Sequence, residues 1–180
     1  ITLSHLFKRE GLLLKDILTR LSSDKKRIAW LAEETAALTG LEQFPQYLTL
    51  LFEVDALFLN DDRHLNNIAV LEKGGQFDYC PIFDNGAGLL SNVQMAPMDI
   101  DPAALIRSAK ARPFNTTFNR QVIHARNLYG PQFHIPKFTE EALRRELEEP
   151  LSYYVQRDRG FIADRVCQTI LTRQKEHNKE

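Results

Sequence analysis

The chain has 180 residues, enough for one compact domain, or one lobe of a larger body, with a proper core. Its 23 Lys and Arg against 24 Asp and Glu leave a net charge of -1, which gives no global pull towards nucleic acid or an anionic bilayer. With 43% hydrophobic and 26% charged residues and only 8 Gly and 8 Pro, the composition is that of a folded globular body rather than a disordered or fibrous one.

The longest apolar stretch, residues 48–60, is broken by Glu53 and Asp55, so it falls short of the roughly 20 apolar residues a membrane span needs. Cys80 and Cys167 make neither a metal cluster nor a disulfide framework. Such scarcity is compatible with a reducing compartment and predicts a cytoplasmic protein. The chain begins at Ile1 with neither an initiator Met nor a signal-like pattern, which predicts an upstream portion.

Taken in chain order, apolar residues recur at three- and four-residue intervals over 12–21 and 25–38, predicting two amphipathic helices. Asp24 is the expected cap of the second, Gly40 its expected terminator, and Pro45 suits the first turn of a third helix that runs to about Leu59. That third helix is apolar over much of its surface and is expected at the centre of the core. A polar cluster, residues 60–67, follows it. Next come a strand over 68–71, a turn at Gly74 and Gly75, and a second strand over 77–83. Breakers at Gly86, Gly88, Pro97, Pro102 and Pro113 predict a long loop region over 87–113 with one short helix at 101–108. Helices are then expected over 116–129, 139–148 and 158–175, with a frayed charged tail after Arg173. The resulting fold class is mainly α with a small β-hairpin, in a single body.

The chemistry concentrates around that hairpin. Asp62 and Asn67 lie five residues apart in the loop before it, and Asp84 follows its second strand. A hairpin brings its ends together, so three oxygen-bearing side chains converge where a hard cation such as Mg2+ finds ligands without a dedicated cage. Phosphoryl transfer needs an Asp near the acceptor hydroxyl and groups that hold Mg2+ against the nucleotide phosphates. On this reading Asp62 orients the hydroxyl and accepts its proton, and Asn67 and Asp84 hold metal and nucleotide. Arg63 or His64 steadies the loop or the transferred phosphate. Asn-rich and Asp-rich loops are more often plain turns, whose side chains bond their own backbone. Two such segments flanking one hairpin, each after an apolar run, favour the catalytic reading over that one.

The segment Asp62-Arg63-His64-Leu65-Asn66-Asn67-Ile68 resembles the Asp-Arg-His-x-x-Asn catalytic loop of phosphatidylinositol-kinase-like enzymes and the Asp-x-His-x-x-Asn loop of HipA-like serine/threonine kinases. Ile82-Phe83-Asp84-Asn85-Gly86 looks like their metal-binding counterpart. The short gap between the two and the helical remainder look more like the HipA-related group, a likeness specific over 48–90 and weaker over 110–114. The resemblance implies a protein-kinase-like C-terminal lobe with a catalytic loop at 60–67, a metal-binding motif at 82–86, an activation-type loop at 87–113 and a helical remainder at 114–176. It implies ATP and Mg2+ as cofactors and a Ser/Thr hydroxyl of a protein as acceptor. The family's Gly-rich loop, nucleotide Lys and strand-rich N-lobe have no counterpart in this sequence. An N-lobe from upstream sequence, or a separate N-lobe or antitoxin-like partner chain, is therefore expected.

Three rival functions stay open: a lipid or small-molecule kinase, a non-catalytic pseudokinase or docking lobe, and a metal-dependent phosphoesterase. The small basic groups at 25–27 and 110–112 are mixed with apolar residues and give little support to a lipid surface. Two-metal hydrolysis requires more carboxylate and His ligands than this cluster offers. Asp55 is either a buried carboxylate bonded to the catalytic loop or a solvent-facing helix residue, and Asp61 is expected to cap the loop. His124 and His134 lack zinc-like spacing and are expected to be structural. Ser91, Ser108, Thr116 and Thr117 are exposed-loop hydroxyls with no feature that marks one of them for modification.

Overall fold

The computed structural model describes residues 1–177. In chain order it contains helices α1 (Leu3–Arg9), α2 (Leu14–Arg20), α3 (Asp24–Thr39) and α4 (Phe44–Phe58), then strands β1 (Val70–Lys73) and β2 (Gln76–Tyr79). Helices α5 (Pro102–Ser108), α6 (Phe118–Tyr129), α7 (Glu140–Ser152) and α8 (Gln156–His177) complete it. The expected class, mainly α with a small two-stranded antiparallel hairpin, is what the chain adopts. No helix among the described residues is long and apolar enough to cross a membrane.

The termini of α3 and α4 follow from local chemistry. Ser23 caps α3 by accepting from the Lys26 amide, while Asp24 sits one residue further on and pairs with Arg27 at 2.8 Å. The expected Asp24 cap is thus displaced by one position, because a Ser side chain at the preceding extended residue reaches the free amide first. Gly40 closes α3 in the left-handed region at φ 74°, as expected, and Pro45 lies in the first turn of α4.

Several elements differ from expectation. Helix α1 was not anticipated: Thr2 caps it and Gly11, at φ 75°, follows its end, so the predicted helix over 12–21 is shortened to α2. Ahead of α1, Thr2 forms a bridge with Ala69, and the Leu3 amide bonds the Ile68 carbonyl at 2.9 Å, adding a short third run beside β1. The second strand ends at Tyr79 rather than continuing to 83, since Pro81 has no amide to donate to a ladder. Register runs from Val70 opposite Tyr79 to Lys73 opposite Gln76, closed by Gly74 and Gly75, both at positive φ as a two-residue turn demands.

Helix α4 is the axis of the fold. It touches α3, α6 and α8, and buries Leu48, Leu51, Phe52 and Ala56 in the larger of two apolar clusters. Its Leu57 belongs to a second cluster with Leu143, Val166 and Ile170 under the α7–α8 pair. Two acidic residues lie on this buried helix. Glu53 is fully buried and accepts from Arg126 Nε at 2.6 Å and from the Gln132 amide at 3.0 Å, tying α4 to α6 and the turn beyond it. Asp55 is the other, and it faces the hairpin.

The irregular segment after β2 is anchored rather than free-running. Arg165, 6% exposed on α8, donates to the carbonyls of Ala96 and Pro97, both at 2.6 Å. Helix α7 runs past the expected end at 148 to Ser152, with Pro150 tolerated in its last turns. Helix α8 continues beyond Arg173 to His177, so the frayed tail expected there is helical as far as it is described; residues 178–180 lie outside the described residues. His177 contacts Arg126, and burial together with the Arg126 and Arg173 charges lowers its pKa from 6.5 to about 4.

A depressed folded-state pKa stabilises the fold above the unfolded value and is lost as pH falls through the folded one. Acidification from about pH 6.5 to 4 is therefore expected to remove on the order of 1–2 kcal/mol through this residue, after allowance for its partial exposure. Urea titrations at both pH values check it: His177→Asn should flatten that part of the pH dependence, and an unchanged slope would count against the assignment.

Candidate active site

The loop that carries Asp62 begins where α4 is forced to stop. Leu59 takes the left-handed conformation at φ 55°, and the amides of Leu59 and Asn60 both turn back to the Asp55 carbonyl. Asn60, 2% exposed, donates its side-chain amide to Asp55 Oδ1 at 3.2 Å and to the Asp84 carbonyl at 3.4 Å, while its own Oδ1 accepts from the Asp62 amide. The loop is then closed on itself. His64 N and Asn67 Nδ2 both donate to the Asp62 carbonyl, at 2.8 and 3.0 Å, and Asn67 N donates to His64 O at 2.8 Å.

These bonds consume backbone and leave chosen side chains outward. Asp62 and His64 are 57% and 47% exposed, with His64 Nε2 3.9 Å from Asp62 Oδ1, too long for a hydrogen bond. Asn67 is 6% exposed, and because its Nδ2 is bound to the loop, its amide oxygen is the atom available to a cation.

Arg63 joins this loop to the segment after β2. Its side chain is fully buried, and its five N–H donors all have partners. Nε and Nη2 grip the Asp55 carboxylate at 2.9 Å each. Nη1 donates to Asn67 O at 2.9 Å and Phe83 O at 2.5 Å, and Nη2 also reaches Asn85 Oδ1 at 2.7 Å. One nitrogen thus touches the carbonyl of Asn67 and the carbonyl just before Asp84, which brings the two polar segments side by side. Burial pushes the Asp55 carboxyl upward, and the hydrogen bonds and charge of Arg63, with the Asn60 amide, oppose it. Of the two readings of Asp55, the buried one is what the fold adopts. Of the two roles considered for Arg63, steadying the loop fits this geometry, whereas contact with a transferred phosphate would require a donor that Arg63 no longer has.

Asp84 is exposed and adopts φ 55°, a left-handed conformation that is costly for most non-Gly residues and milder for Asp and Asn. The flanking Phe83 carbonyl and Asn85 side chain, both held by Arg63, and the Asp84 carbonyl, held by Asn60, keep it there. Asn60 and Asn85 were not assigned roles from the sequence, although their places at the edges of the two polar segments were visible.

The donor set suits a phosphate-bound cation better than a caged one. No three His, Cys, Asp or Glu side chains are grouped to hold a metal among the described residues. An Asn and an Asp fit Mg2+, which keeps waters and takes phosphate oxygens for its other positions. Asp61, expected as a loop cap, also lines a cavity of about 280 Å3 with Lys110 and Arg112; its carboxyl is raised above the usual range by burial and by Asp62, with a hydrogen bond from its own backbone and Arg112 opposing.

No protein-family model matches this chain, no curated protein matches it, and no solved structure matches its fold.

Proposed function

We propose that the chain is the catalytic and metal-binding lobe of an ATP- and Mg2+-dependent phosphotransferase, with a HipA-like serine/threonine kinase as the nearest kind and a protein hydroxyl as the acceptor. The observation that carries this reading is the Arg63 clasp, which holds the Asp62–Asn67 loop and Asp84 as one unit while leaving the Asp62 and Asp84 side chains to solvent. A turn with no chemical task would not require a buried, fully bonded guanidinium beneath it.

In the reaction, Asp62 orients the acceptor hydroxyl and takes its proton, and its exposure leaves room for the approaching chain. Bound Mg2+ would neutralise charge on the nucleotide phosphates. Asn67 Oδ1 and the Asp84 carboxylate are the groups that would hold it. His64, exposed beside Asp62, is placed to meet the transferred phosphate, and Arg63 positions the loop from below.

Calorimetry of Mg2+-dependent ATP binding tests this, on the chain alone and with upstream sequence restored. Binding that is lost in Asp84→Ala supports the phosphotransfer lobe; no binding in either form removes it. The docking-lobe reading then remains, favoured by a cavity of about 580 Å3 that adjoins Asp55, Asn60 and Asn85 and is lined by exposed Val93, Met98 and Tyr154.

A further inference from the structure

Next to the catalytic loop lies a second, differently charged recess. The segment between α5 and α6 folds back on itself through a bridge in which the Ala111 amide donates to Thr116 O at 2.7 Å. Ala111 is fully buried, while its neighbours Lys110 and Arg112 are exposed. Gln121 fixes that arrangement by donating from Nε2 to the Arg112 carbonyl at 3.0 Å. Lys110 and Arg112 line the cavity of about 280 Å3 together with Asp61 and Asn92, with Leu105 and Met95 as apolar lining.

The charge in this cavity is unbalanced. Neither Lys110 nor Arg112 has a carboxylate within ion-pair distance among the described residues, and Asp61 is the sole carboxylate in the lining. Two cations against one anion leave one net positive charge at the rim of the cavity, where all three charged side chains are exposed. Such a recess takes one anionic group on a short aliphatic stem.

We propose that this cavity is an acceptor subsite that holds an acidic side chain of the protein substrate, close in sequence to the hydroxyl presented to Asp62; the inference rests on the phosphotransferase reading and deepens it. Asp61 and Asp62 are consecutive, about 3.8 Å apart at Cα, and an extended chain advances roughly 3.3 Å per residue. The acidic residue is therefore expected close in sequence to the acceptor hydroxyl, since the cavity adjoins the residue next to Asp62. A membrane headgroup is the less suitable source, since the cations are only two and share their cavity with the Asp61 carboxylate rather than forming a broad basic face.

The test is a titration, followed by calorimetry or NMR, of the full chain with a Ser-containing peptide bearing Glu residues around the Ser and with its Gln counterpart. The Glu peptide is expected to bind about tenfold more tightly, the ratio one charge-assisted hydrogen bond supports, and to weaken as salt is raised. In Lys110→Gln/Arg112→Gln that preference should vanish while Mg2+-dependent ATP binding is unchanged, since neither residue belongs to the Asp62, Asn67 and Asp84 set. Equal binding of both peptides, or a preference that survives the double substitution, overturns the subsite. Capture by anionic phospholipid vesicles that depends on Lys110 and Arg112, without peptide binding, overturns the protein source. If ATP never binds but the Glu preference and its dependence on these cations persist, the acidic-segment site stands and the phosphotransfer reading fails.

Discussion

Replacing Arg63 with Ala is expected to lower the unfolding free energy by about 3–5 kcal/mol, the loss typical of breaking a buried ion pair from one side. Arg63 is fully buried and Asp55 is 2% exposed, so the truncation strands a carboxylate where water cannot reach it and frees the carbonyls of Asn67 and Phe83 as well. Urea denaturation followed by circular dichroism reads it as a fall in midpoint at constant slope. Arg63→Lys should recover little, because an ammonium has three donors and no planar fork where five directed bonds are made. Replacing both partners, Asp55→Leu with Arg63→Met, should restore much of the stability, because the burial penalty of the charges disappears with them. That double variant should still lose the alignment of the two polar segments, and with it nucleotide binding. A loss below about 1 kcal/mol for Arg63→Ala would mean that the clasp is not what holds these segments together.

Asp84→Gly is expected to separate stability from function in the opposite direction. At φ 55° an aspartate bears a cost that glycine avoids, offset in part by the greater freedom of glycine in the unfolded chain. The variant should therefore unfold no earlier than the parent and gain up to about 1 kcal/mol. Mg2+-dependent ATP binding should nevertheless weaken by about a hundredfold or more, the upper range seen when even the partners of metal ligands are removed. Asp84→Asn keeps a side chain that tolerates this conformation and removes only the charge, so it should match the parent in stability and the glycine variant in binding. A strained residue whose relief costs only ligand binding is what a functional position looks like. If Asp84→Gly instead destabilised the fold with binding intact, the strained loop would be structural.

The two polar segments were legible because spacing and residue type are local properties. Asp62 five residues before Asn67, and Asp84 after a Gly-Gly hairpin, can be read without knowing what lies beneath them. The clasp beneath them was not. Arg63 was visible only as the neighbour of Asp62, and its commitment to Asp55, one helix earlier, depends on α4 ending in a left-handed Leu59 that turns the loop back over the helix. Periodicity along α4 could not decide whether Asp55 faced solvent, because a helix this apolar is buried on nearly every side. Glu53 was hidden for the same reason, its partner Arg126 lying 73 residues away.

By itself, the sequence determined most of the element types and the hairpin turn, since these follow from 3.6- and 2-residue periods and from Gly74 and Gly75, and it marked the two polar segments by which side chains carry oxygen. Tertiary structure decided which charges are buried and paired, that Asp61 shares a cavity with Lys110 and Arg112, and that the segment before α1 pairs beside β1. Those outcomes rest on contacts between residues distant in the chain. Their energies come from desolvation and hydrogen-bond geometry, which exist only once the helices have packed.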